Sequence, residues 1–306
     1  MSAIIQALLP VFILIVIGFA IKRYKLVDDG LWAPAERITY YVFFPSLVIG
    51  SAVRADLGGA DVWPMGFSLF SATFIVAMVA LAMRKRLEIS DRSFTSFFQG
   101  TFRPNTYVGI AVAFVLWGEI GVGLMAIAIL AVVPLANLLA VSVMVRFGDS
   151  HDGARTPTRA FIAVAKNPLI IGCVIGFGMN GLGLVLPPVI EPLLDILGRA
   201  ALPVALLAVG AGLEFSALKQ NASVSIQTTA IKLVVLPALT WVIAGAMGVE
   251  GISFVAMIMF ASLSGSASSY VLVREMGGDG PLMAGIITAT TIGAILTMPL
   301  WMWFAG

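Results

Sequence analysis

Long apolar stretches alternate with short polar connections along the whole chain. A helix needs roughly 20 predominantly apolar residues to cross a bilayer. We predict ten membrane-spanning helices, over residues 3–21, 33–52, 62–83, 94–117, 120–146, 161–180, 189–213, 223–246, 251–272 and 281–304. The connections are too short to hold a soluble domain. The pattern therefore predicts an all-α integral membrane protein whose main surroundings are the lipid bilayer.

The composition agrees with this interpretation and narrows the function. Hydrophobic residues make up 60% of the 306-residue chain and charged residues only 11%, whereas soluble domains carry roughly 25% charged residues. The net charge of +2 does not indicate a nucleic-acid partner, because the basic residues fall in short connections. A single histidine, His151, excludes a histidine proton relay or metal cluster. Since HExxH, P-loop and GxSxG motifs are absent, we expect neither an enzyme nor a cofactor.

The basic residues predict the orientation of the chain, because cytoplasmic connections are enriched in Lys and Arg. The connections after odd-numbered spans carry nearly all of them: Lys22, Arg23, Lys25, Arg84, Lys85, Arg86, Arg92, Arg146, Arg155, Arg159, Lys166, Lys219 and Arg274. The connections after even-numbered spans contain only Arg54. We therefore expect both termini outside the cytoplasm, in a plasma membrane such as the inner membrane of a bacterium.

The two halves of the chain share a spaced set of prolines, glycines and tyrosines. The pairs recur in order at offsets of 158 to 165 residues: Pro10 and Pro168, Gly18 and Gly176, Pro45 and Pro203, Tyr107 and Tyr270, and Pro134 and Pro299. With five spans per half, the second half enters the membrane from the opposite side. Inverted repeats of this kind are typical of secondary transporters, whose sites lie near the membrane midplane. We assign residues 1–149 to the first five-helix repeat and residues 150–306 to the second.

Span four contains a stretch that is unusual for a membrane helix, QGTFRPNTYVG at residues 99–109. Pro104 lacks an N–H and should break or kink the helix. Arg103 brings a charge to membrane depth, where an ionisable residue is by default a candidate functional group. Asn105 and Thr106 add polar groups. Because broken backbone at that depth is tolerated only where protein or a water-filled cavity surrounds it, we predict a binding site here.

Span nine is the repeat partner of span four and should be broken as well. It contains a glycine and serines that weaken a helix and whose hydroxyls can satisfy freed backbone groups: Ser262, Ser264, Gly265, Ser266, Ser268 and Ser269. Small residues also serve close helix packing, but the pairing with span four favours a second break. We interpret the threonines of span ten as packing residues: Thr288, Thr290 and Thr291.

The charges within the spans favour an anionic ligand. Arg103 and Lys232 lie well inside their spans, whereas the acidic residues lie at span ends. A cation site or proton relay would need a buried carboxylate, while cationic side chains and half-helix N-termini favour an anion. We therefore expect an organic anion, a carboxylate, as the substrate. Lys232 can alternatively snorkel to the interface, and Asn137 in span five suits either an interhelical hydrogen bond or the site.

Several stretches resemble the auxin efflux carrier family of membrane transporters. RPNTYVG at residues 103–109 is similar to the family's Asn-x-x-x-Gly crossing-helix motif, which would run from Asn105 to Gly109. Other similar stretches preserve their order over the whole chain: VPLAN at 133–137, KNPLIIG at 166–172, ALPVALLAVGAGL at 201–213, KLVVLP at 232–237 and ASSYVLVREMGGD at 267–279. The family belongs with the bile acid:sodium symporters in one structural superfamily.

The resemblance implies ten spans in two inverted five-helix repeats, with spans four and nine broken and crossing near the midplane. Spans one, two, six and seven would form a scaffold that mediates homodimers. Spans three to five and eight to ten would form a transport domain that moves like an elevator. Known substrates of the family are carboxylates, namely auxin in plants and malate- or malonate-like acids suggested for bacterial members.

In plant members of the family an asparagine at each crossover matters for binding. Asn105 matches the first, Ser268 or a neighbouring serine holds the second position, and Gly265 stands where the family usually has proline. These two departures argue against auxin itself. The candidate substrate-binding residues are Arg103, Pro104, Asn105, Thr106, Gly109, Asn137, Lys232, Ser264, Gly265, Ser266, Ser268 and Ser269.

We therefore expect a secondary active transporter of a small organic anion. One alternative is a sodium-coupled symporter of the bile acid type, in which the span-nine serines and the carbonyls of an unwound helix bind sodium. Another is a channel or facilitator, whose uptake no gradient would affect. The coupling ion, H⁺ or Na⁺, and the direction of transport stay open. A receptor or scaffold without transport would gain nothing from two broken helices.

Overall fold

The computed structural model describes residues 2–54, 62–148, 165–220 and 222–306, and its regular structure is helical. The helices are α1 (Ser2–Arg23), α2 (Trp32–Ile38), α3 (Phe44–Arg54), α4 (Val62–Ala82), α5 (Asp91–Gly100), α6 (Thr106–Phe147), α7 (Pro168–Gly181), α8 (Ile190–Ala211), α9 (Phe215–Gln220), α10 (Ala222–Ala230), α11 (Leu236–Ala246), α12 (Gly251–Ala261), α13 (Ala267–Glu275) and α14 (Gly280–Ala305). Short π segments join α2 to α3 and α10 to α11. The predicted repeat boundary at 149–150, His151 and the connection residues Arg155 and Arg159 lie outside the described residues.

Five helical stretches of the described residues are long and apolar enough to cross a membrane, by length and composition: Val62–Lys85, Thr106–Phe147, Ile190–Ala211, Ala222–Ala246 and Gly280–Ala305. Helices α7 and α12 are shorter and also apolar. All of these stretches lie at predicted spans, but Thr106–Phe147 covers part of span four and span five, and α12 covers only the first half of span nine. The prediction of an all-helical membrane protein is therefore confirmed, while the ten-span inverted repeat stays a prediction.

The predicted spans four and five meet at a sharp turn without a loop. They form one helical element, α6, but Gly118 within it has φ 59° and ψ −137°, a conformation that suits glycine alone. A Cβ at Gly121 would lie 2.2 Å from the carbonyl oxygen of Ala113. Along a straight helix these two residues would be about 12 Å apart. The chain therefore doubles back at Gly118, directly after the predicted end of span four.

The start of α7 corrects the predicted start of span six. Asn167 caps the helix, since its side chain accepts a hydrogen bond from the Leu169 N–H at 2.9 Å. Pro168 occupies the first helical position, where its missing N–H costs nothing. Helix α7 therefore begins at Pro168, later than the predicted start of span six at residue 161. Residues 161–164 of the predicted span lie outside the described part of the chain.

The contacts divide the chain into two compact units. The first comprises Met1–Ala60, Tyr107–Leu130 and Ala165–Gly212, and the second comprises Asp61–Thr106, Ala131–Val164 and Leu213–Gly306. The first unit contains the predicted scaffold spans one, two, six and seven, and the second contains spans three, eight, nine and ten. The assignment of a scaffold and a transport domain stays a prediction.

Within the first unit, α1 and α8 pack backbone against backbone through two glycines. A Cβ built at Gly18 would lie 2.0 Å from the carbonyl oxygen of Leu207. A Cβ built at Gly210 would lie 1.8 Å from the carbonyl oxygen of Ile15. Such distances leave no room for a side chain at either position. Small residues allow this close approach between membrane helices.

A cluster of charged side chains joins α3, α6 and α8 within the first unit. Arg54, at the end of α3, contacts Glu119 at 2.6 Å, Glu191 at 3.3 Å and Asp195 at 3.0 Å. The hydrogen bond to Glu119 makes the largest contribution to raising the pKa of Arg54 above its ordinary value. The four side chains are partly exposed, so each ion pair contributes little to the free energy of unfolding.

A cluster of buried aromatic side chains surrounds the end of α5 in the second unit. Phe94, Phe97, Phe98 and Phe102 are buried side chains of α5 and the residues that follow it. The rings of Phe98 and Phe102 lie edge to face, with centroids 5.0 Å apart, a favourable geometry for aromatic pairs. This packing fixes the end of α5, and with it the position of the predicted break.

Candidate functional site

The first helix break lies between α5 and α6. α5 ends at Gly100 and α6 begins at Thr106. The Arg103 N–H still donates to the Gln99 carbonyl at 3.1 Å, so helical bonding continues up to the residue before Pro104. Proline has no N–H, and its ring clashes with the preceding turn. The break predicted at Pro104 is therefore confirmed.

The second helix break lies between α12 and α13. α12 ends at Ala261 and α13 begins at Ala267. Between them the N–H of Gly265 leaves the helical pattern and donates to the hydroxyl of Thr290 at 2.9 Å. A Cβ on Gly265 would lie 3.1 Å from that hydroxyl oxygen, so the contact suits glycine. The predicted break in span nine is confirmed.

The two breaks lie against each other within the second unit. Pro104 and Gly265 form an isolated antiparallel bridge. Asn105 donates its backbone N–H to the carbonyl oxygen of Ser264 at 2.8 Å. Asn105 and Ser264 are 2% and 1% exposed. Buried backbone groups need hydrogen-bond partners. Here the Ser264 carbonyl of the second break and the Asn105 N–H of the first break satisfy each other.

Arg103 extends from this crossing and is only 7% exposed. Its guanidinium donates to Gln99 Oε1 at 2.8 Å, to Asn137 Oδ1 at 2.9 Å and to Ser268 Oγ at 3.2 Å. The acceptors belong to α5, α6 and α13, so the planar fork of the guanidinium connects both broken helices. These three acceptors are two side-chain amides and a hydroxyl. We refer to Gln99, Arg103, Asn137 and Ser268 as the arginine cluster.

Lys232 occupies a separate place in the second unit. It lies in the π segment between α10 and α11 and is fully buried. Its Nζ donates to the carbonyl oxygen of Ala261 at 3.1 Å. Ala261 is the last residue of α12. A cation is favourable at a helix C-terminus. The indole N–H of Trp301 donates to the carbonyl of Leu233 at 2.8 Å, which provides a side-chain partner for the backbone of the π segment.

Residues 3–302 match the family described as membrane transport protein. The chain belongs to this family. It is the auxin efflux carrier family that the motifs resemble. The chain is 21% identical over 298 residues to an uncharacterized transporter of Methanothermobacter thermautotrophicus, a match that covers 97% of this chain and 96% of the relative. It is 22% identical over 309 residues to an uncharacterized transporter of Methanocaldococcus jannaschii, with 97% of both chains covered. The protein is thus a membrane transporter of the auxin efflux carrier family.

In this family member, most predicted site residues of span nine line the crossing. The hydroxyls of Ser266 and Ser268 lie 2.8 Å apart. The hydroxyls of Ser264 and Ser269 are buried and have no hydrogen-bond partner within the described part of the chain. In span four, Thr106 is the first residue of α6 and Gly109 is buried in its first turn. Their role in substrate binding stays a prediction.

Two residues of the crossing were not among the predicted site residues. Gln99 accepts a hydrogen bond from the guanidinium of Arg103. Residues four apart on a helix lie on the same face, and this spacing could have indicated the contact. Thr290 accepts from Gly265 while donating to the Ile286 carbonyl at 2.8 Å. The sequence interpretation assigned this threonine to helix packing. No local pattern distinguishes it from Thr291, which donates within its own helix at 2.7 Å.

Proposed function

We propose that this transporter carries a small organic anion, a carboxylate, by secondary active transport. The observation that carries the proposal is the arginine cluster, a buried guanidinium held by neutral acceptors where two broken helices cross. Many secondary transporters place their sites on discontinuous helices. A guanidinium presents parallel N–H donors that match the two oxygens of a carboxylate.

The helix ends at the crossing support the same charge preference. α6 begins at Thr106 and α13 begins at Ala267, directly after the two breaks. A helix N-terminus presents free N–H groups and partial positive charge, and both favour an anion. The negative C-terminus of α12 is already compensated by the ammonium of Lys232. The sum of these groups favours an anion over a cation.

The contacts also assign roles to individual side chains. Ser268 is exposed, and its bond to Arg103 is the longest of the three at 3.2 Å. We propose that the substrate carboxylate replaces Ser268 at the guanidinium, while Gln99 and Asn137 keep the fork in place. Asn105, whose backbone is fixed by Ser264, would offer its side-chain amide to the same substrate.

We further propose that transport follows an elevator-type alternating-access cycle. Both breaks, Asn137 and Lys232 fall within the second compact unit, which suits a site that moves as one body. The family resemblance supports homodimers formed through spans one, two, six and seven. The distribution of Lys and Arg supports a plasma membrane location with both termini outside.

Uptake by purified protein in liposomes tests the anion proposal. A thermal-shift screen against small carboxylates first selects a substrate, and labelled uptake is then compared between variants. Arg103→Gln should lower uptake about 10- to 100-fold, because hydrogen bonds to charged groups contribute roughly 1.5–3 kcal/mol. Arg274→Gln is the matched control, since Arg274 is exposed at the end of α13. Near-normal uptake by a folded Arg103→Gln variant would refute the proposal.

Sodium-coupled symport is a second candidate that one observation favours. The buried hydroxyls of Ser264 and Ser269 have no hydrogen-bond partner among the described residues, and they lie within and just after the unwound segment between α12 and α13. Hard cations prefer oxygen ligands of this kind. If sodium is coupled, replacing it with choline lowers uptake in the wild type, and Ser269→Ala weakens the sodium dependence. Equal uptake in choline would exclude this candidate.

A further inference from the structure

Lys232 is a buried cation outside the arginine cluster. Its side chain is 0% exposed, and its Nζ makes one hydrogen bond, to the carbonyl of Ala261. The ion pairs of the described residues centre on Arg54 and Arg84, so Lys232 has no acidic partner among them. An ammonium carries three donors, which leaves two for another ligand.

A small cavity adjoins this ammonium. Besides Lys232, its walls include Thr73, Phe102, Pro104, Thr240, Phe260 and Ala261. The volume of the cavity is about 10 Å³. A cavity of this measure holds about one particle the size of a water molecule. A carboxylate substrate is too large for this cavity, so a ligand bound there must be smaller.

Two polar side chains of the cavity can donate to an anion. Lys232 supplies the charge, and Thr73 supplies a hydroxyl that can donate. Thr240 uses its own proton on the Leu236 carbonyl at 2.8 Å. The remaining side chains, among them Phe102 and Phe260, are apolar and exclude water. A buried charge without a counter-charge costs several kcal/mol, so a compact anion at this place would offset the burial of the ammonium.

We propose that this cavity binds a single monatomic halide ion, chloride in the cell, between Lys232 and Thr73. The halide is a single atom only somewhat larger than a water molecule, and it carries the charge that would neutralise the ammonium. The cavity adjoins Pro104 and Ala261, so the halide would hold the ammonium of Lys232 in place beside both broken segments. The proposal does not rest on the carboxylate site, since halide binding is measured without any substrate.

Thermal unfolding of the purified protein tests the halide site. Chloride replaces methanesulfonate stepwise at constant ionic strength, because methanesulfonate carries the same charge, is too large for the cavity and is not a carboxylate. At tenfold excess over its dissociation constant, chloride should raise the unfolding temperature of the wild type by about 2–4 °C in a saturable way. Lys232→Met should lose this rise. Lys219→Met, a control at an exposed lysine of α9, should keep it.

A second variant and a direct measurement cover the case in which Lys232→Met does not fold. Thr73→Val keeps the ammonium but removes a donor, so the chloride midpoint should rise about tenfold. Crystals grown with bromide should show an anomalous peak beside the Lys232 Nζ. A flat chloride response of the wild type, an unchanged response of Lys232→Met, or no bromide peak would overturn the proposal.

Discussion

The backbone N–H of Asn105 donates to the carbonyl oxygen of Ser264 at 2.8 Å, across a separation of 159 residues in the chain. This bond fixes the residue that the family motif marks for substrate binding. Its main chain is therefore held in place by the second broken segment. A site held in this way is preorganised, which reduces the ordering cost of binding.

Arg103→Lys should lower uptake although it keeps the positive charge. An ammonium lacks the planar fork and cannot reproduce the three bonds to Gln99, Asn137 and Ser268. We expect a fall of about tenfold, since each bond to a charged group contributes roughly 1.5–3 kcal/mol. The measurement is labelled uptake in liposomes. If Arg103→Lys matches the wild type, charge alone suffices and the fork has no role.

Thr290→Val should loosen the second break. Valine has the shape of threonine but cannot accept the Gly265 N–H that now bonds at 2.9 Å. A buried donor left unsatisfied costs about 1–3 kcal/mol, which unfolding in mixed detergent micelles would detect. Thr290→Ser keeps the hydroxyl and should stay close to the wild type. Thr297→Val is the control, because that hydroxyl bonds only within its own helix, to the Gly293 carbonyl at 3.1 Å.

Gly118→Ala should destabilise the turn inside α6. With φ 59° and ψ −137°, this position lies where a side chain is strained by about 1–3 kcal/mol. Gly178→Ala is the matched control, since Gly178 is helical and a Cβ there meets nothing within 4 Å. The control should be neutral or slightly stabilising. Equal unfolding midpoints for the two variants would contradict the sharp turn.

Gly210→Ala should disturb the packing of α1 on α8. The added methyl group would lie 1.8 Å from the carbonyl oxygen of Ile15, so the helices must separate. Overpacking of this kind costs about 1–3 kcal/mol. Gly245→Ala, at an exposed helical glycine with open space around it, should leave the unfolding midpoint unchanged. Tolerance of alanine at position 210 would show that the two helices have freedom to move apart.

Both helix breaks could be predicted because their causes are local. Pro104 removes an N–H wherever it stands, and the glycine and serines around Gly265 weaken a helix in any surroundings. The turn between spans four and five could be placed near Gly118 because the apolar pattern is interrupted there. The start of span six was misplaced, since the apolar run extends past the cap that Asn167 provides.

The partners of Arg103 depend on tertiary structure and could not be predicted in the same way. Gln99 lies one helical turn away, but Asn137 and Ser268 are separated from Arg103 by 34 and 165 residues. Asn137 and Ser268 were both candidate site residues, but nothing in the sequence pairs either of them with Arg103. The same holds for Thr290, whose partner Gly265 lies 25 residues away. Such pairings appear only when helices from distant segments are packed.

The bond between Asn105 and Ser264 also has a consequence for biogenesis. At a synthesis rate of about 5–20 residues per second, roughly 10–30 seconds pass between the appearance of these two residues. During that interval the broken backbone of the first half enters the membrane without its main-chain partner. The nascent chain must therefore be shielded at Pro104, by water at the insertion site or by an insertion factor, until the second half arrives.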